Sequence, residues 1–193
     1  MLLKLSNMSL KNTRSKLLAE FKTIEKGKNP RLDRSIEAIV VLSGESLDPK
    51  IKTDLLDTET RLLAGIKIYR KIEKLGGKPV LVINGTDDQN RTMVNVAKES
   101  GITNIEQVKN PPYPKASTLT QIKGLRSLNF KKILLVNHAE GGPRTARYTK
   151  KLLQNSCKCE LYLINRKRMS REQIDEEIGK IIKYSVEGDL SLF

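Results

Sequence analysis

Short apolar runs alternate with longer amphipathic segments along this chain, and that alternation limits the fold more than any other feature. The apolar runs are rich in β-branched residues and lack polar alternation, which is typical of strands covered on both faces. Strands are predicted at Ile36–Leu42, Pro79–Ile83, Ile105–Val108, Lys132–Val136 and Cys159–Ile164. Since strands that alternate with helices pair in parallel through crossover connections, the pattern predicts a parallel five-stranded sheet.

The segments between the strands carry apolar residues at helical spacing, and Gly, Asn or Pro residues end several of them. Helices are predicted at Ser9–Lys26, Asp54–Leu75, Gln89–Ser100, Ser117–Leu128, Pro143–Asn155 and Ser170–Tyr184. Together these elements predict an α/β, Rossmann-like doubly wound three-layer sandwich with a mainly parallel sheet. Its predicted organisation is an N-terminal helical extension at 1–30, the α/β domain at 36–186 and a C-terminal tail at 187–193.

The sequence contains neither an apolar run long enough to cross a membrane nor an export signal, so we expect a cytoplasmic protein. Cys157 and Cys159 stand two residues apart on one predicted strand, a poor geometry for a disulfide. With a single histidine in the chain, a zinc site at these cysteines is the weaker alternative. We interpret them as ordinary reduced thiols.

The formal net charge of +14, from 36 Lys and Arg against 22 Asp and Glu, favours an anionic partner. A phosphorylated small molecule, a nucleic acid and an acidic membrane surface all fit this charge, and a generally basic surface is the plain alternative. The cations are spread along the chain, and only three Phe and no Trp are present for base stacking. Nucleic-acid binding is therefore kept as the second hypothesis.

Ligands of doubly wound sheets bind beyond the carboxyl ends of the strands, near the point where the strand order reverses. The qualifying segments are Ser43–Ser46, Asn84–Asp88, Pro112–Ser117 and Asn137–Arg144. The last of these is the most informative. Gly141 and Gly142 allow close backbone approach, Pro143 suits a first helical turn, and Arg144 adds a bidentate donor for phosphate or carboxylate.

Titratable side chains also follow the predicted strands. His138 lies one residue past a strand, where it could act as a base or a ligand. Glu45, Asp87, Asp88 and Glu140 fall in similar loops, and with His138 they could hold a divalent cation, although solvated loop acids are the simpler interpretation. No dinucleotide GxGxxG, phosphate-binding GxxxxGK[ST], GxSxG or paired CxxC motif is present, which weakens simple dehydrogenase, NTPase and hydrolase hypotheses.

Several segments, taken in order, resemble the bacterial YdcF/SanA/ElyC-like family, a domain of unknown function. Ala38–Gly44 resembles its first strand and glycine-rich loop, and Arg61–Tyr69 its "R…A..LY" helix. Pro79–Gly85 stands where the family has "P.IIVSGG", Ser117–Gln121 where it has "NT.EN", and Leu134–Arg144 where it has "LLVTS..H..RA". The resemblance covers roughly residues 36–165, and the order and spacing of the motifs carry it.

This resemblance implies a Rossmann-like fold, links to envelope barrier function and lipid-carrier metabolism, and in one relative similarity to an S-adenosylmethionine binder. Arg144 matches the family's arginine, whereas the family's histidine position is occupied by Gly141 and His138 lies three residues earlier. Ser117 replaces the usual asparagine of the "NT.EN" motif. Many envelope members of the family carry a membrane anchor. We find no apolar segment of that kind in this sequence, so the resemblance supports the fold more strongly than it supports an envelope role.

We therefore predict a domain that binds an anionic small molecule, such as a nucleotide, S-adenosylmethionine or a phosphorylated carrier, with its status as an enzyme left open. Arg144 would hold the anionic group, Thr118 would donate a hydrogen bond, and Glu45 or Asp87 would contact a sugar hydroxyl or a metal. The predicted binding residues are Ser43, Gly44, Gly85, Thr118, Gly141, Gly142 and Arg144, and the candidate catalytic residues are His138, Glu45 and Asp87. A divalent cation is an optional cofactor.

Overall fold

A computed structural model describes residues 7–44, 52–112, 117–166 and 169–192, with side chains from residue 10 onward in the first segment and from residue 58 in the second. The chain forms six helices and five strands in these segments, with one short 3₁₀ turn. They are α1 (Asn7–Lys26), β1 (Ala38–Leu42), α2 (Lys52–Lys74), β2 (Val80–Gly85), α3 (Asp87–Glu99), β3 (Ile105–Lys109), α4 (Thr118–Gly124) with the 3₁₀ turn Leu125–Ser127, β4 (Lys132–His138), α5 (Gly142–Leu153), β5 (Lys158–Ile164) and α6 (Arg171–Val186).

The five strands form one sheet in the order β3-β2-β1-β4-β5, and every neighbouring pair is parallel. In the register, Val40 lies between Val82 of β2 and Leu135 of β4. This confirms the predicted α/β class with its parallel five-stranded sheet. The strand order, which the sequence left open, is that of a doubly wound fold whose order reverses between β1 and β4.

The strands are apolar on both faces because helices cover both faces. Alternate strand residues pack against α2 and α3 on one side, among them Ile39, Val41, Leu81, Ile83, Leu134 and Val136. The intervening residues, among them Ala38, Val40, Leu42, Val82, Ile133 and Leu135, form the other face and pack against α4, its 3₁₀ turn and α5. The result is the predicted three-layer sandwich.

The predicted N-terminal helix packs against the last helix rather than against the sheet. Leu17 and Phe21 of α1 form a separate buried cluster with Ile178 and Ile181 of α6. The side chain of Asn29, just after α1, donates to the carbonyl of Leu163 at 3.1 Å and accepts from its N–H at 2.8 Å. Residues assigned from sequence to an extension therefore pair with the outer edge of β5.

Several element boundaries differ from the predicted ones, and three of them have an identifiable structural reason. Helix α3 begins at Asp87 instead of Gln89, because Gln89 Oε1 accepts from the N–H of Thr86 at 3.0 Å and caps an earlier first turn. Strand β4 extends to His138, which pairs with Ile164 of β5. The predicted helix 117–128 is shorter, since it tightens into the 3₁₀ turn after Gly124.

Within the described segments, no helix has both the length and the apolar character needed to cross a membrane. The cytoplasmic location expected from the sequence stays a prediction. Both cysteines are free thiols, half-buried against the α5 face of the sheet. Burial raises the pKa of the Cys159 thiol to about 12, so this thiol is protonated and poorly reactive at neutral pH.

Candidate functional site

The reversal of strand order places the carboxyl ends of β1 and β4 side by side. After β1 the chain continues into α2 on one face of the sheet, whereas after β4 it continues into α5 on the other face. A crevice between diverging connections is where ligands bind in folds of this type. The segment that follows Gly44, which includes the predicted residue Glu45, lies outside the described residues.

Arg61 of α2 joins the two strand ends at this position. Its Nε donates to Nδ1 of His138 at 2.9 Å, and one terminal nitrogen donates to the carbonyls of Leu42 at 3.3 Å and Ser43 at 3.1 Å. The side chain is half-buried, so its charge is only partly screened by water. The site therefore holds a permanent positive charge, because the arginine guanidinium does not deprotonate in proteins.

His138, the last residue of β4, is buried beside this arginine, with 2% of its surface exposed. Burial, and secondly the charge of Arg61, lower the pKa of His138 from 6.5 to about 3. Glu140 Oε1 lies 3.9 Å from Nδ1, beyond hydrogen-bond distance. The imidazole is consequently neutral at physiological pH, and the catalytic role predicted for His138 stays a prediction.

Buried carboxamides and a hydroxyl form a hydrogen-bond network across the ends of β1, β2 and β3. Gln121 Nε2 of α4 donates to Ser43 Oγ at 2.9 Å and to the carbonyls of Ser43 and Asn84 at 3.1 Å each. Asn84 Nδ2 returns a bond to the carbonyl of Gln121 at 2.9 Å, and Asn110 Nδ2 donates to Asn84 Oδ1 at 2.6 Å. The network fixes Ser43 and the end of β2 to α4.

Gly44 and Gly85 lie at the two strand ends that this network joins. The N–H of Gly44 donates to Thr58 Oγ1 at 2.8 Å, and its carbonyl accepts from Gln89 Nε2 at 3.0 Å. A Cβ on Gly85 would lie 2.8 Å from Ser43 Oγ and 3.1 Å from Asn90 Oδ1, so a side chain does not fit. The absence of a side chain at Gly85 thus serves close packing of strand ends.

Asn90 brings a buried acceptor to the same place. Its Nδ2 donates to the carbonyl of Val108 at 3.0 Å, whereas its Oδ1 accepts no hydrogen bond from the described residues. An unsatisfied buried acceptor costs roughly 1–3 kcal/mol. Such a cost is tolerated most often at functional positions or where a donor from outside the chain binds.

The predicted anion-binding turn, Gly141-Gly142, begins helix α5 directly after the end of β4. A Cβ on Gly142 would lie 2.8 Å from Leu163 Cδ1, and one on Gly141 would lie 3.0 Å from Asn137 Nδ2. Asn137 in turn donates to Thr145 Oγ1 at 2.8 Å. Both glycines therefore pack closely against side chains of β4 and β5, and the anion-binding role predicted for them stays a prediction.

Arg144, the residue predicted to hold the anionic group, is buried between three helices. Its Nε and one terminal nitrogen donate to Glu177 of α6 at 2.9 and 3.0 Å, and the other terminal nitrogen donates to Thr118 Oγ1 at 2.7 Å. Thr118, predicted to donate to a ligand, accepts from Arg144 through its hydroxyl oxygen and keeps its own proton to donate. In this arrangement the pair ties α5 to α4 and α6, and the anionic partner of Arg144 is a carboxylate of the chain itself.

The remaining candidate acids do not converge on the site. Asp87 is exposed at the start of α3 and forms a 3.6 Å ion pair with Lys109, while Asp88 pairs with Arg91. In the part of the chain that the structure describes, no group of three or more His, Cys, Asp or Glu residues could hold a metal ion. Asp87 therefore lies among solvated charges, as the simpler interpretation of the sequence had it.

The residues predicted for the site do not include Arg61, Gln121 and Glu177, although each has a recognisable feature in the sequence. Glu177 stands on the apolar stripe of its helix, between Ile174 and Ile178, where a charge indicates a buried partner. Arg61 and Gln121 were noted only as parts of motifs in the family resemblance. Their contacts run to residues 77 and 78 positions away, which spacing in the sequence does not reveal.

Comparison of the chain with protein-family models, with curated proteins and with solved structures returns no match. The resemblance to the YdcF/SanA/ElyC-like family accordingly stays a prediction.

Proposed function

We propose that this domain binds an anionic small molecule, such as a nucleotide, S-adenosylmethionine through its carboxylate, or a phosphorylated carrier, at the carboxyl ends of β1 and β4. The observation that carries the proposal is the position of Arg61. This half-buried guanidinium bridges the two strand ends at the point where the strand order reverses. An anionic ligand there would gain a charge-assisted interaction in an environment of reduced dielectric constant.

The surroundings of Arg61 support this charge preference. Its guanidinium donates to the neutral ring of His138 and to two backbone carbonyls, and these bonds fix the position of the positive charge. Arg144 lies away from this point, in a bidentate pair with Glu177 that ties α5 to α6. Because Arg61 stands where the strand order reverses, we assign the anion to Arg61 and a secondary contribution to Arg144.

Uncharged polar groups near the ends of β1 and β2 would orient such a ligand. Ser43 Oγ and Asn90 Oδ1 both lie near Gly85 at the end of β2, and the hydroxyl of Ser43 retains a proton to donate. A hydroxyl or amine of the ligand could satisfy the buried Oδ1 of Asn90. A ligand with an anionic end and a hydrogen-bonding end, as nucleotides have, fits this distribution. Whether a reaction follows binding is left open by the proposal.

A thermal-shift panel tests the proposal with S-adenosylmethionine, adenine and uridine nucleotides, and polyprenyl-phosphate analogues, each with and without Mg²⁺. A ligand present at 100 times its dissociation constant adds about 2.7 kcal/mol to the free energy of unfolding. For a domain of this size, that corresponds to a rise in melting temperature of roughly 5–10 °C. No rise with any of these compounds would contradict the proposal.

Two variants separate the site from general charge effects. Arg61→Gln should abolish the ligand-induced rise, because it removes the cation at the strand ends. Arg91→Gln removes the same charge from a side chain that is 76% exposed on α3, and it should leave the rise unchanged. Equal loss in both variants would mean that the ligand responds only to the net charge of the protein.

Nucleic-acid binding is the second candidate function, and the outer face of α2 favours it. Lys67, Arg70, Lys71 and Lys74 are all exposed there, and Glu73 is the one acid in that stretch of the helix. Such a row of cations would bind phosphates without reading sequence. Affinity for a short RNA should then fall steeply with salt, and Lys71→Gln with Lys74→Gln should weaken it. Binding that is already lost at physiological salt would exclude a specific role.

A further inference from the structure

The hydrogen bond between Arg61 and His138 determines which ring nitrogen carries the proton, in addition to the position of the ring. Arginine can only donate hydrogen bonds, so the 2.9 Å contact from Nε requires that Nδ1 of His138 be an unprotonated acceptor. A neutral imidazole carries a single proton, which must then be on Nε2. A doubly protonated ring would place two donors and two positive charges against each other across the same contact.

Two charged side chains of the described residues lie close to Nδ1 of the ring. Arg61 of α2 contacts Nδ1 at 2.9 Å, whereas the Glu140 carboxylate, in the turn after β4, is 3.9 Å from the same nitrogen. The shorter contact has the length of a hydrogen bond, whereas the longer one exceeds the range of such bonds. The lowered pKa of His138 agrees with this ordering of the two effects.

We propose that Arg61 is a positioning residue that fixes His138 as the neutral Nε2–H tautomer, which presents a hydrogen-bond donor to an anionic oxygen of the ligand. The part that concerns the ligand rests on the function proposed above. Donation from Arg61 into Nδ1 withdraws electron density from the ring and makes Nε2–H a stronger donor. The ring then acts as a neutral donor, and the only lone pair that could accept a proton faces an arginine.

The chain offers an unusually clean test because His138 is its only histidine. In protein labelled with ¹⁵N-histidine, long-range ¹H–¹⁵N spectra distinguish the two neutral tautomers from the imidazolium form. Ligand-free protein should show only the Nε2–H tautomer between about pH 5 and pH 8, with no titration in that range. A majority of the Nδ1–H tautomer, or a midpoint near the ordinary value of about 6.5, would overturn the proposal.

Variants at Arg61 test the cause of the tautomer. Arg61→Met removes the donor and should yield a mixture of tautomers and a titration midpoint at higher pH, whereas Arg91→Met should give the wild-type spectrum. An unchanged tautomer and midpoint in folded Arg61→Met would show that burial alone fixes the ring, against the proposal. The wild-type spectrum remains decisive if Arg61→Met does not fold.

Addition of ADP to the labelled wild-type protein separates this proposal from the proposed function. A shift of the Nε2 signal with the tautomer retained supports both. The Nε2–H tautomer without any response of the protein to ADP or the rest of the ligand panel supports the positioning role of Arg61 and contradicts the binding function. Ligand binding that leaves the Nε2 signal unchanged contradicts the donor role of His138 and leaves the binding function standing.

Discussion

Arg144 and Glu177 form a bidentate ion pair in which each side chain is less than one-tenth exposed, with N–O distances of 2.9 and 3.0 Å. The pair links α5 to α6, and Lys180 adds a second cation to Glu177 at 3.2 Å. Removal of one partner from a buried pair costs about 3–5 kcal/mol, and the remaining contact with Lys180 places the loss of Arg144 near the lower end of that range. We therefore expect Arg144→Ala to lower the free energy of unfolding by that amount in urea titrations.

The control for this prediction removes both charges. Arg144→Met combined with Glu177→Leu leaves no uncompensated carboxylate and should recover most of the lost stability. Arg126→Ala, at an exposed position after α4, should change the free energy of unfolding by no more than about 0.5 kcal/mol. A single Arg144→Ala variant as stable as wild type would show that the pair contributes nothing.

Stability should depend on pH through His138. Its pKa is about 3 in the folded protein against 6.5 in the ordinary range, so the unfolded chain binds more protons than the folded one between these values. Stability is thus complete above pH 6.5 and is lost as the pH falls toward 3. At about 1.36 kcal/mol per pKa unit, the loss is on the order of 5 kcal/mol over the whole range.

Urea titrations between pH 5 and pH 7 isolate this effect from the acids. Asp33, whose pKa is lowered chiefly by its hydrogen bond to Lys132, also destabilises the protein as it protonates, but only below its ordinary value of 3.8. His138→Asn retains a polar side chain without an imidazole and should flatten the slope above pH 5. An equally steep slope in that variant would place the titrating group elsewhere.

The close approach of Gly85 to Ser43 predicts a cost for a single methyl group. A Cβ at Gly85 would stand 2.8 Å from Ser43 Oγ and 2.9 Å from Ser43 Cβ, inside van der Waals contact. Gly85→Ala should therefore lower the free energy of unfolding by about 1–3 kcal/mol, as overpacked positions do. Gly179→Ala is the matched control, because no atom lies within 4 Å of the added Cβ. Since alanine favours a helix over glycine, this variant should raise the free energy of unfolding by roughly 0.5–1 kcal/mol.

Gln121 Nε2 donates hydrogen bonds to several oxygen atoms at the strand ends. The variant Gln121→Glu removes this donor and keeps nearly the same side-chain shape. The introduced carboxylate would face the carbonyls of Ser43 and Asn84, which can only accept. We expect a loss of at least about 1–3 kcal/mol in the free energy of unfolding at pH 7. The gap to wild type should narrow as the pH falls, because the protonated carboxyl regains a donor; a constant gap would contradict the network.

The fold class could be predicted because apolar periodicity reports burial directly. Ile39 and Val41 face one helical layer, and Val40 and Leu42 face the other, so an unbroken apolar run at 38–42 indicates a strand covered on both sides. Strand order depends on which crossover passes to which face, and local pattern does not encode it. Helix boundaries were harder to predict because side-chain hydrogen bonds help to set them. Gln89, for example, caps a first turn of α3 that begins two residues before the predicted start.

The sequence could indicate which polar residues stand at the strand ends, and a ligand site there stays a prediction. The strand-end loops hold the polar groups, as the position of Ser43, Gly85 and His138 shows. The hydrogen-bond partners of Ser43 and His138, however, come from helices far away in sequence, which local patterns do not reveal. Glu177, which engages Arg144, lies 33 residues later on α6.

The affinity of folded Arg61→Gln for the panel ligand that most stabilises the wild-type protein tests the central claim most directly. Isothermal titration calorimetry at fixed salt should give a dissociation constant about 10–150 times that of wild type, equivalent to the roughly 1.5–3 kcal/mol of a charged hydrogen bond. Arg91→Gln should bind as wild type does. Equal affinity in Arg61→Gln and wild type would contradict the claim that Arg61 holds an anion at the ends of β1 and β4.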